Sequence, residues 1–600
     1  MSYTPPTTDM TFVMTELAGL DTVSTLPGFT DATRATVQAV LDEGARFCSE
    51  VLAPLNLPGD RNPATCENGK VTASPGFKEA FAQFVEGGWQ GLMHPAEYGG
   101  QGLPKLLASP CLEMLTAANL SFATCPSLTD GAIEALLLAG TRAQKQRYLP
   151  KLISGQWTGT MNLTEPQAGS DLAMLRARAV PQQDGTYRLF GTKIFITWGE
   201  HDMAENIVHL VLARTPDAPP GVKGISLFIV PKFLVDEDGS LGARNDVHCV
   251  SLEHKLGLKA SPTAVLQFGE HGGATGHLIG EENRGLEYMF VMMNAARFAV
   301  GLQGIGLAER AYQKAVAYAK ERVQSRPVDG SSDGPVPIVQ HPDVKRMLST
   351  MRALTQGARA LAYVAASHSD LAHAHPDAAE RASHRAIYDY LVPIVKGWST
   401  ELAVEVASLG VQVHGGTGFI EETGAAQYYR DARILPIYEG TTAIQANDLV
   451  GRKTVRDGGK LVRHIMARID ATLAELHAHR AFGSNPAFAA MCHQLDAGRM
   501  SMARAVDFML ANVKADTNAV FGGAVAYLKL SGIVLCGWQM ARALIAASGR
   551  EASNPVFYGA KMATAHHYAT HILPQATALE IAIVSARSGE GMLALSGEQF

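Results

Sequence analysis

Cysteine is scarce: seven in 600 residues, none paired as Cys-x-x-Cys. That excludes a disulfide framework or zinc ribbon and fits a reduced compartment. Basic residues do not outnumber acidic ones, since 51 Lys and Arg stand against 57 Asp and Glu, for a formal charge of −6. A nucleic-acid binder would carry a net basic domain, so nucleic acid is set aside as a partner. A small anionic ligand is not, because it needs only a few local donors. No run of 18 apolar residues lacks charge or punctuation, so no membrane span is expected. The start, MSYTPPTTDMTFVMTELAGL, lacks the basic segment and apolar core of a secretory signal, and the arginines of a transit peptide. A cytoplasmic location follows as the expectation.

What is present is ordinary apolar material, 47% of residues, enough to fill a sizeable core. At about 150 residues per domain the length suggests roughly four domains. Four textures do appear, without an internal repeat, and the fold class expected is α+β, mainly α. Residues 1–157 read as an amino-terminal extension and a helical domain. Within them TDATRATVQAVLDEGARFCSEVLAPLN has an apolar stripe, with Thr30 or Asp31 as the cap and Pro54 as the stop. Residues 158–280 switch to short runs rich in β-branched and aromatic residues, separated by Gly, Pro, Asp and Asn, which read as a β domain. Crossover helices are too few there for a doubly wound nucleotide fold. Residues 281–455 return to long helices, including 347–368 and 378–409, and suggest a four-helix bundle. Residues 456–600 form an added helical domain.

Three stretches invite chemistry. In ILPIYEGTTAIQ a single carboxylate, Glu439, sits in an apolar run between Tyr438 and Gly440. Its plain reading is a first-turn residue that suits the positive end of a helix. Its functional reading is a desolvated base. In MNLTEPQAGSDL, Gly169 and Ser170 offer close backbone approach and a hydroxyl, although an ordinary loop would look the same. In KIFITWG, Phe195 and Thr197 share one strand face by their spacing of two, where a core role competes with a ligand role. Arg297, in the apolar MMNAARFAVGLQGIG, needs a partner if buried, structural or otherwise. The histidines of HSDLAHAH, His368, His373 and His375, lack zinc spacing and a cysteine partner, so no metal is expected there.

Taken together, HPAEYGGQGLP, MNLTEPQAGSD, GTKIFITWG, ARFAVGLQGIGLAERAY, QVHGGTGF, YYRDARI and IYEGTTAIQ resemble the acyl-CoA dehydrogenase family of flavoproteins, in the family's order, over roughly residues 36–452. The amino terminus and the added helices look like the 3-methylmercaptopropionyl-CoA dehydrogenase subgroup. The resemblance implies a helical domain, a β domain and a four-helix domain, with FAD between the last two and partly across a subunit interface of a homodimer. It places Met161, Leu163, Thr164, Phe195 and Thr197 on the flavin walls. It puts Gly169 and Ser170 at FAD, Ser170 also at the CoA pyrophosphate, and Thr441 on the adenosine side. Arg322, Ser325, Gln412 and Gly416 would hold a neighbouring subunit's FAD. Asn294, Arg297, Tyr438 and Gly440 fall at the acyl pocket. Met161, Phe195 and Ala443 depart from the family's usual aromatic, tryptophan and glutamine. Ala443 removes one possible FAD contact.

The implied reaction oxidises an acyl-CoA thioester to trans-2-enoyl-CoA: Glu439 takes the α-proton and the β-hydride goes to the flavin. Preorganised donors stabilise charge on the thioester oxygen. Electron-transferring flavoprotein is the implied acceptor. Candidate substrates are 3-(methylthio)propanoyl-CoA and short-to-medium-chain acyl-CoAs; the alternatives are a long-chain dehydrogenase or an acyl-CoA oxidase using O2. A non-catalytic CoA-binding scaffold would have no need of Glu439.

Overall fold

The computed structural model describes residues 3–600, apart from the side chains of residues 291 and 292. The first amphipathic stripe forms the helix Arg34–Phe47, capped by Thr33, whose hydroxyl accepts from the Thr36 N–H at 3.1 Å. The cap is thus neither Thr30 nor Asp31. Pro54 is not a stop: a π-turn, Cys48–Leu52, precedes it, and the chain resumes as the helix Ala53–Arg61 with Pro54 in the first turn. The π-turn widens the hydrogen-bond ladder just ahead of the position where Pro54 supplies no N–H. A hairpin, Thr65–Glu67 with Lys70–Thr72, turns on Asn68 and Gly69, both left-handed. Asn-Gly is the pair that adopts two left-handed conformations most readily in a tight hairpin turn.

The β region is an eight-stranded sheet. Its order is Val247–Leu252, Thr263–Phe268, Tyr187–Thr197, Ala274–Ile279, Ser226–Pro231, Asn206–Ala213, Trp157–Asn162, with Arg178–Pro181 pairing on Tyr187–Thr197. Only Trp157–Asn162 runs parallel to its neighbour; the other pairings are antiparallel. The helix Leu120–Ala139 lies so close on Trp157–Asn162 that a side chain at Gly159 would overlap Ala132. This contact carries Thr124 and Ser127 to the end of the sheet.

Three long helices follow, Gly285–Glu321, Pro342–Ala374 and Ala378–His414. The bundle's fourth member is shorter: Thr442–Asp448, continued by the π-turns of Leu449–Val455. Gly301 and Gly304 let the first long helix touch the Ala378–His414 backbone, and Gly306 lets it touch Lys105–Ala118. The added helices, chiefly Lys460–Ala478, Pro486–Asn512 and Ala524–Ala547, share one hydrophobic core with the bundle and the amino-terminal helices. Gly285–Glu321 and Ala524–Ala547 are apolar enough to span a membrane by length and composition, but the apolar part of each is mostly buried in the protein.

Candidate active site

Glu439 is not a first-turn residue. Thr441 is the N-cap of Thr442–Asp448, its hydroxyl accepting from the Ile444 N–H at 3.3 Å, so Glu439 lies two residues outside the helix. Its φ is +54°, followed by +91° at Gly440. A left-handed glutamate costs about 1–3 kcal/mol and persists only where its surroundings hold it. They do. Lys396, fully buried on Ala378–His414, donates from Nζ to the carbonyls of Leu435 at 2.9 Å and Gly440 at 2.7 Å. Gln445 Nε2 reaches the Gly440 carbonyl at 3.2 Å.

The half-buried Glu439 lines a cavity of about 350 Å³, its open mouth included, with Thr124, Ser127, Thr197, Ala299, Gln303 and Tyr438. Tyr438 donates to Gln303 Oε1 at 2.6 Å, fixing one wall. Burial pushes the Glu439 carboxyl above its ordinary range, against the pull of Lys396 and then Arg297. A desolvated carboxylate of this kind is a stronger base than one in water. Arg297 is buried, 3.6 Å from Asp448 and 3.3 Å from Asn294 Oδ1, and its Nε finds no partner among the described residues.

Ser127, Ala296 and Ala299 also line a second cleft, of about 900 Å³ including its mouth, walled mainly by Phe47, Phe84, Trp89, Leu112, Leu115 and Leu302. The three small side chains, Ser127, Ala296 and Ala299, form the boundary, or neck, that the Glu439 cavity and this apolar space share. Sequence reading missed this cleft because its walls come from helices far apart in the chain.

The proposed flavin-wall loops are tied to each other. Lys193 Nζ donates to the Leu163 carbonyl at 3.0 Å and to Glu165 at 2.9 Å, and the Ile194 N–H donates to the Thr164 carbonyl at 3.0 Å. Glu165 also accepts from the N–H groups of Arg176 and Ala177. The buried Lys193–Glu165 pair was not read from the sequence. Strand alternation is interrupted between Phe195 and Thr197. A bulge opposite Val265 puts Phe195 at φ +60° and 58% exposed, while Thr197 stays at the Glu439 cavity. Met161 is buried, Leu163 and Thr164 are half-buried, and the backbone at Gly169 is open. An exposed aromatic beside open backbone and half-exposed hydroxyls suits a flat, polar-edged cofactor such as FAD.

Arg322, Ser325, Gln412 and Gly416 are all exposed, on two segments that meet where Tyr318 stacks on His414 at 4.4 Å and Thr417 bonds the Tyr318 hydroxyl. Ser325 is left-handed, and Phe419 and Ile420 nearby are exposed. Thr441 spends its hydroxyl on the helix cap. In the histidine run His368 bonds His384 at 2.7 Å and the His375 ring lies 6.3 Å from that of His384, whereas His373 lies by Phe29. A different group, His248, Glu270 and His271, converges on the surface of the β region.

Family models match in order along the chain: acyl-CoA dehydrogenase N-terminal domain at residues 35–156, middle domain at 160–270, C-terminal domain at 283–453, and an acetyl-CoA dehydrogenase C-terminal-like model at 465–590. The 3-methylmercaptopropionyl-CoA dehydrogenase of Ruegeria pomeroyi is 52% identical over 598 residues, covering 99% of this chain and 100% of that protein. A broad-specificity linear acyl-CoA dehydrogenase of Mycobacterium tuberculosis is 35% identical over 588 residues, 95% of each chain. The structure of a Bacillus anthracis acyl-CoA dehydrogenase complexed with FAD shares the fold, with a TM-score of 0.73 and 21% identity over 97% of this chain and 93% of that one.

Proposed function

Because this chain belongs to the acyl-CoA dehydrogenase family, we propose that Glu439 is the base that removes the α-proton of its acyl-CoA substrate. The enzyme is an oxidoreductase acting on the CH–CH bond of an acyl-CoA thioester, with FAD as its cofactor. The observation that carries the base assignment is a lone desolvated carboxylate held in a strained backbone at the wall of a cavity. FAD, when bound, would supply the hydride-accepting redox chemistry; the protein supplies the rest. Thr197 and the loop after Met161 would hold the flavin beside that cavity. Tyr438 and Gln303 shape the wall against which the reacting carbons lie. The largely apolar lining around the half-buried carboxylate, Leu128, Ala296, Ala299 and Val300, limits its hydration and keeps Glu439 basic.

The cleft beyond the neck supports an acyl chain longer than the three carbons of a 3-(methylthio)propanoyl group. We therefore read the substrates as a series, from that thioether thioester to linear medium-chain acyl-CoAs. Arg322, Ser325, Gln412 and Gly416, with Phe419 and Ile420 exposed beside them, support a homodimer that shares its FAD sites. Electron-transferring flavoprotein is the acceptor this reading implies, and the cytoplasm its location.

Anaerobic bleaching of the flavin across a ladder of acyl-CoA lengths, including the thioether, tests the reading. We expect bleaching by both short and medium chains and a dimeric mass in light scattering. A protein that binds no FAD, or is bleached by no acyl-CoA, would overturn the enzyme reading. Activity confined to the shortest chains would remove the cleft from it, and a monomer with full FAD would remove the shared site. Rapid peroxide formation in air would mark an oxidase instead.

A further inference from the structure

The geometry points to Lys396 as a positioning residue for the catalytic loop, holding Glu439 in its left-handed conformation and setting its charge environment; this rests on Glu439 being the base. Lys396 is fully buried, yet its Nζ donates to two backbone carbonyls and not to a carboxylate. These carbonyls, of Leu435 and Gly440, bracket the segment carrying Glu439. A buried ammonium is costly unless its donors are used, and these donors span the loop. The two consecutive positive φ angles at Glu439 and Gly440 are the strain that such a clamp would hold.

The lysine is itself fixed from behind. A side chain at Gly397 would overlap Leu528, and one at Gly532 would overlap Trp398, so the turn carrying Lys396 is pressed against the added helix Ala524–Ala547. Tyr390 and Tyr527, one on each helix, join their hydroxyls at 3.1 Å. The added domain thereby backs the clamp. This gives the carboxy-terminal region a role at a site to which it contributes no lining residue.

The charged and titratable groups acting on Glu439 are Lys396 on Ala378–His414, Arg297 on Gly285–Glu321, and Tyr438 beside it, while Glu401 acts on Lys396. Burial holds Lys396 down to about 8, with Glu439 opposing that fall. Of the two cations, Lys396 pulls harder on the Glu439 carboxyl than Arg297 does. Removing the lysine charge should therefore raise the Glu439 pKa further. The rising limb of kcat/KM against pH, which follows deprotonation of the base in the free enzyme, should move to higher pH.

The test uses the FAD-loaded, full-length enzyme with Lys396→Met, Lys396→Gln and Lys396→Arg. For Lys396→Met we expect kcat to fall ~10²-fold, as a misplaced catalytic group does, with KM nearly unchanged. Amide hydrogen exchange across residues 436–442 should quicken, and the rising limb should move up by about one pH unit or more. Lys396→Gln keeps a donor without the charge, so exchange should stay closer to wild type while the limb still moves. Lys396→Arg restores the charge and should return the limb. Unchanged exchange and an unmoved limb in both neutral variants would overturn the clamp while leaving the base assignment intact. Flavin bleaching that survives Glu439→Gln would overturn the base assignment whatever Lys396 does. If Lys396→Met does not fold, Lys396→Gln carries the decision.

Discussion

At the scale of a residue, Glu439 is a charge the fold disfavours and the proposed chemistry requires. Because its pKa is raised in the folded state, that state binds the proton more readily than the unfolded chain. Above the unfolded carboxylate range near pH 4.3 the ionised form therefore costs stability. Glu439→Gln should leave the thermal midpoint at pH 7 unchanged or slightly higher, and FAD content unchanged. Turnover should fall at least ~10²–10⁴-fold, the loss expected for a general base. Stopped-flow bleaching by substrate reads the rate; rapid bleaching by the glutamine variant would return Glu439 to a structural role. The carboxylate stood out in the sequence because one charge in an apolar run is locally unusual. Its left-handed backbone did not, since a residue followed by glycine offers many conformations. Nor did Lys396, which reaches the loop from another helix and has no local signature among other lysines.

At the scale of an element, long periodic helices and β-rich runs were legible because period 3.6 and period 2 are local properties. Their ends were less so. Thr33 rather than Thr30 caps the first amphipathic helix, and Pro54 begins a helix where a stop is expected, because a π-turn ahead of it absorbs the missing hydrogen bond. The clearest case is Lys105–Ala118. Its N-cap residue is Pro104, which caps nothing, and the carboxylate of Asp370 on Pro342–Ala374 accepts from the N–H groups of Lys105 and Leu106, both at 2.8 Å. No local pattern announces a cap from so distant a residue. Asp370→Ala should cost ~2 kcal/mol, combining a lost cap with buried N–H groups left unpaired. Asp370→Asn, which keeps one acceptor, should cost less. Urea unfolding of the FAD-loaded protein measures both. Lys105, Ala108 and Leu115 of this helix line the apolar cleft, so the alanine variant should also raise KM for medium-chain acyl-CoAs more than for short ones. Equal stability of wild type and Asp370→Ala would mean that water serves as the cap.

At the scale of the whole molecule, the two ends of the chain meet around one buried ion cluster, which the sequence could not announce across 552 residues. Arg359, fully buried, bonds Glu113 at 2.5 Å, Glu309 at 2.8 Å and Asp9 at 2.8 Å. Asp9 also pairs with Lys561 of the added domain, and Gln356 accepts from that lysine at 3.0 Å. Phe12 packs on Phe557 and Tyr558, and Glu16 pairs with Arg550, so the amino-terminal extension ties the added domain to the bundle. Asp9→Ala leaves Arg359 with two carboxylates but takes from Lys561 the one carboxylate paired with it. The expected cost is ~3–5 kcal/mol at neutral pH, the penalty for breaking a buried pair. That cost should depend on pH with a definite sign. Burial already lowers the Lys561 pKa, even with Asp9 opposing it, and without Asp9 it must fall further. Between the folded and unfolded pKa values of a depressed lysine, the unfolded chain binds more protons, so stability from this group rises with pH. In the variant that window opens at lower pH. Its deficit against wild type should therefore be largest around neutral pH, should shrink toward pH 10 as the lysine discharges in both proteins, and should shrink again in acid as the wild type protonates Asp9, whose folded pKa is held down to about 2. Unfolding midpoints of the two proteins over that range decide the matter. A deficit that stayed constant with pH would place the loss in packing around Phe12, not in the stranded ammonium.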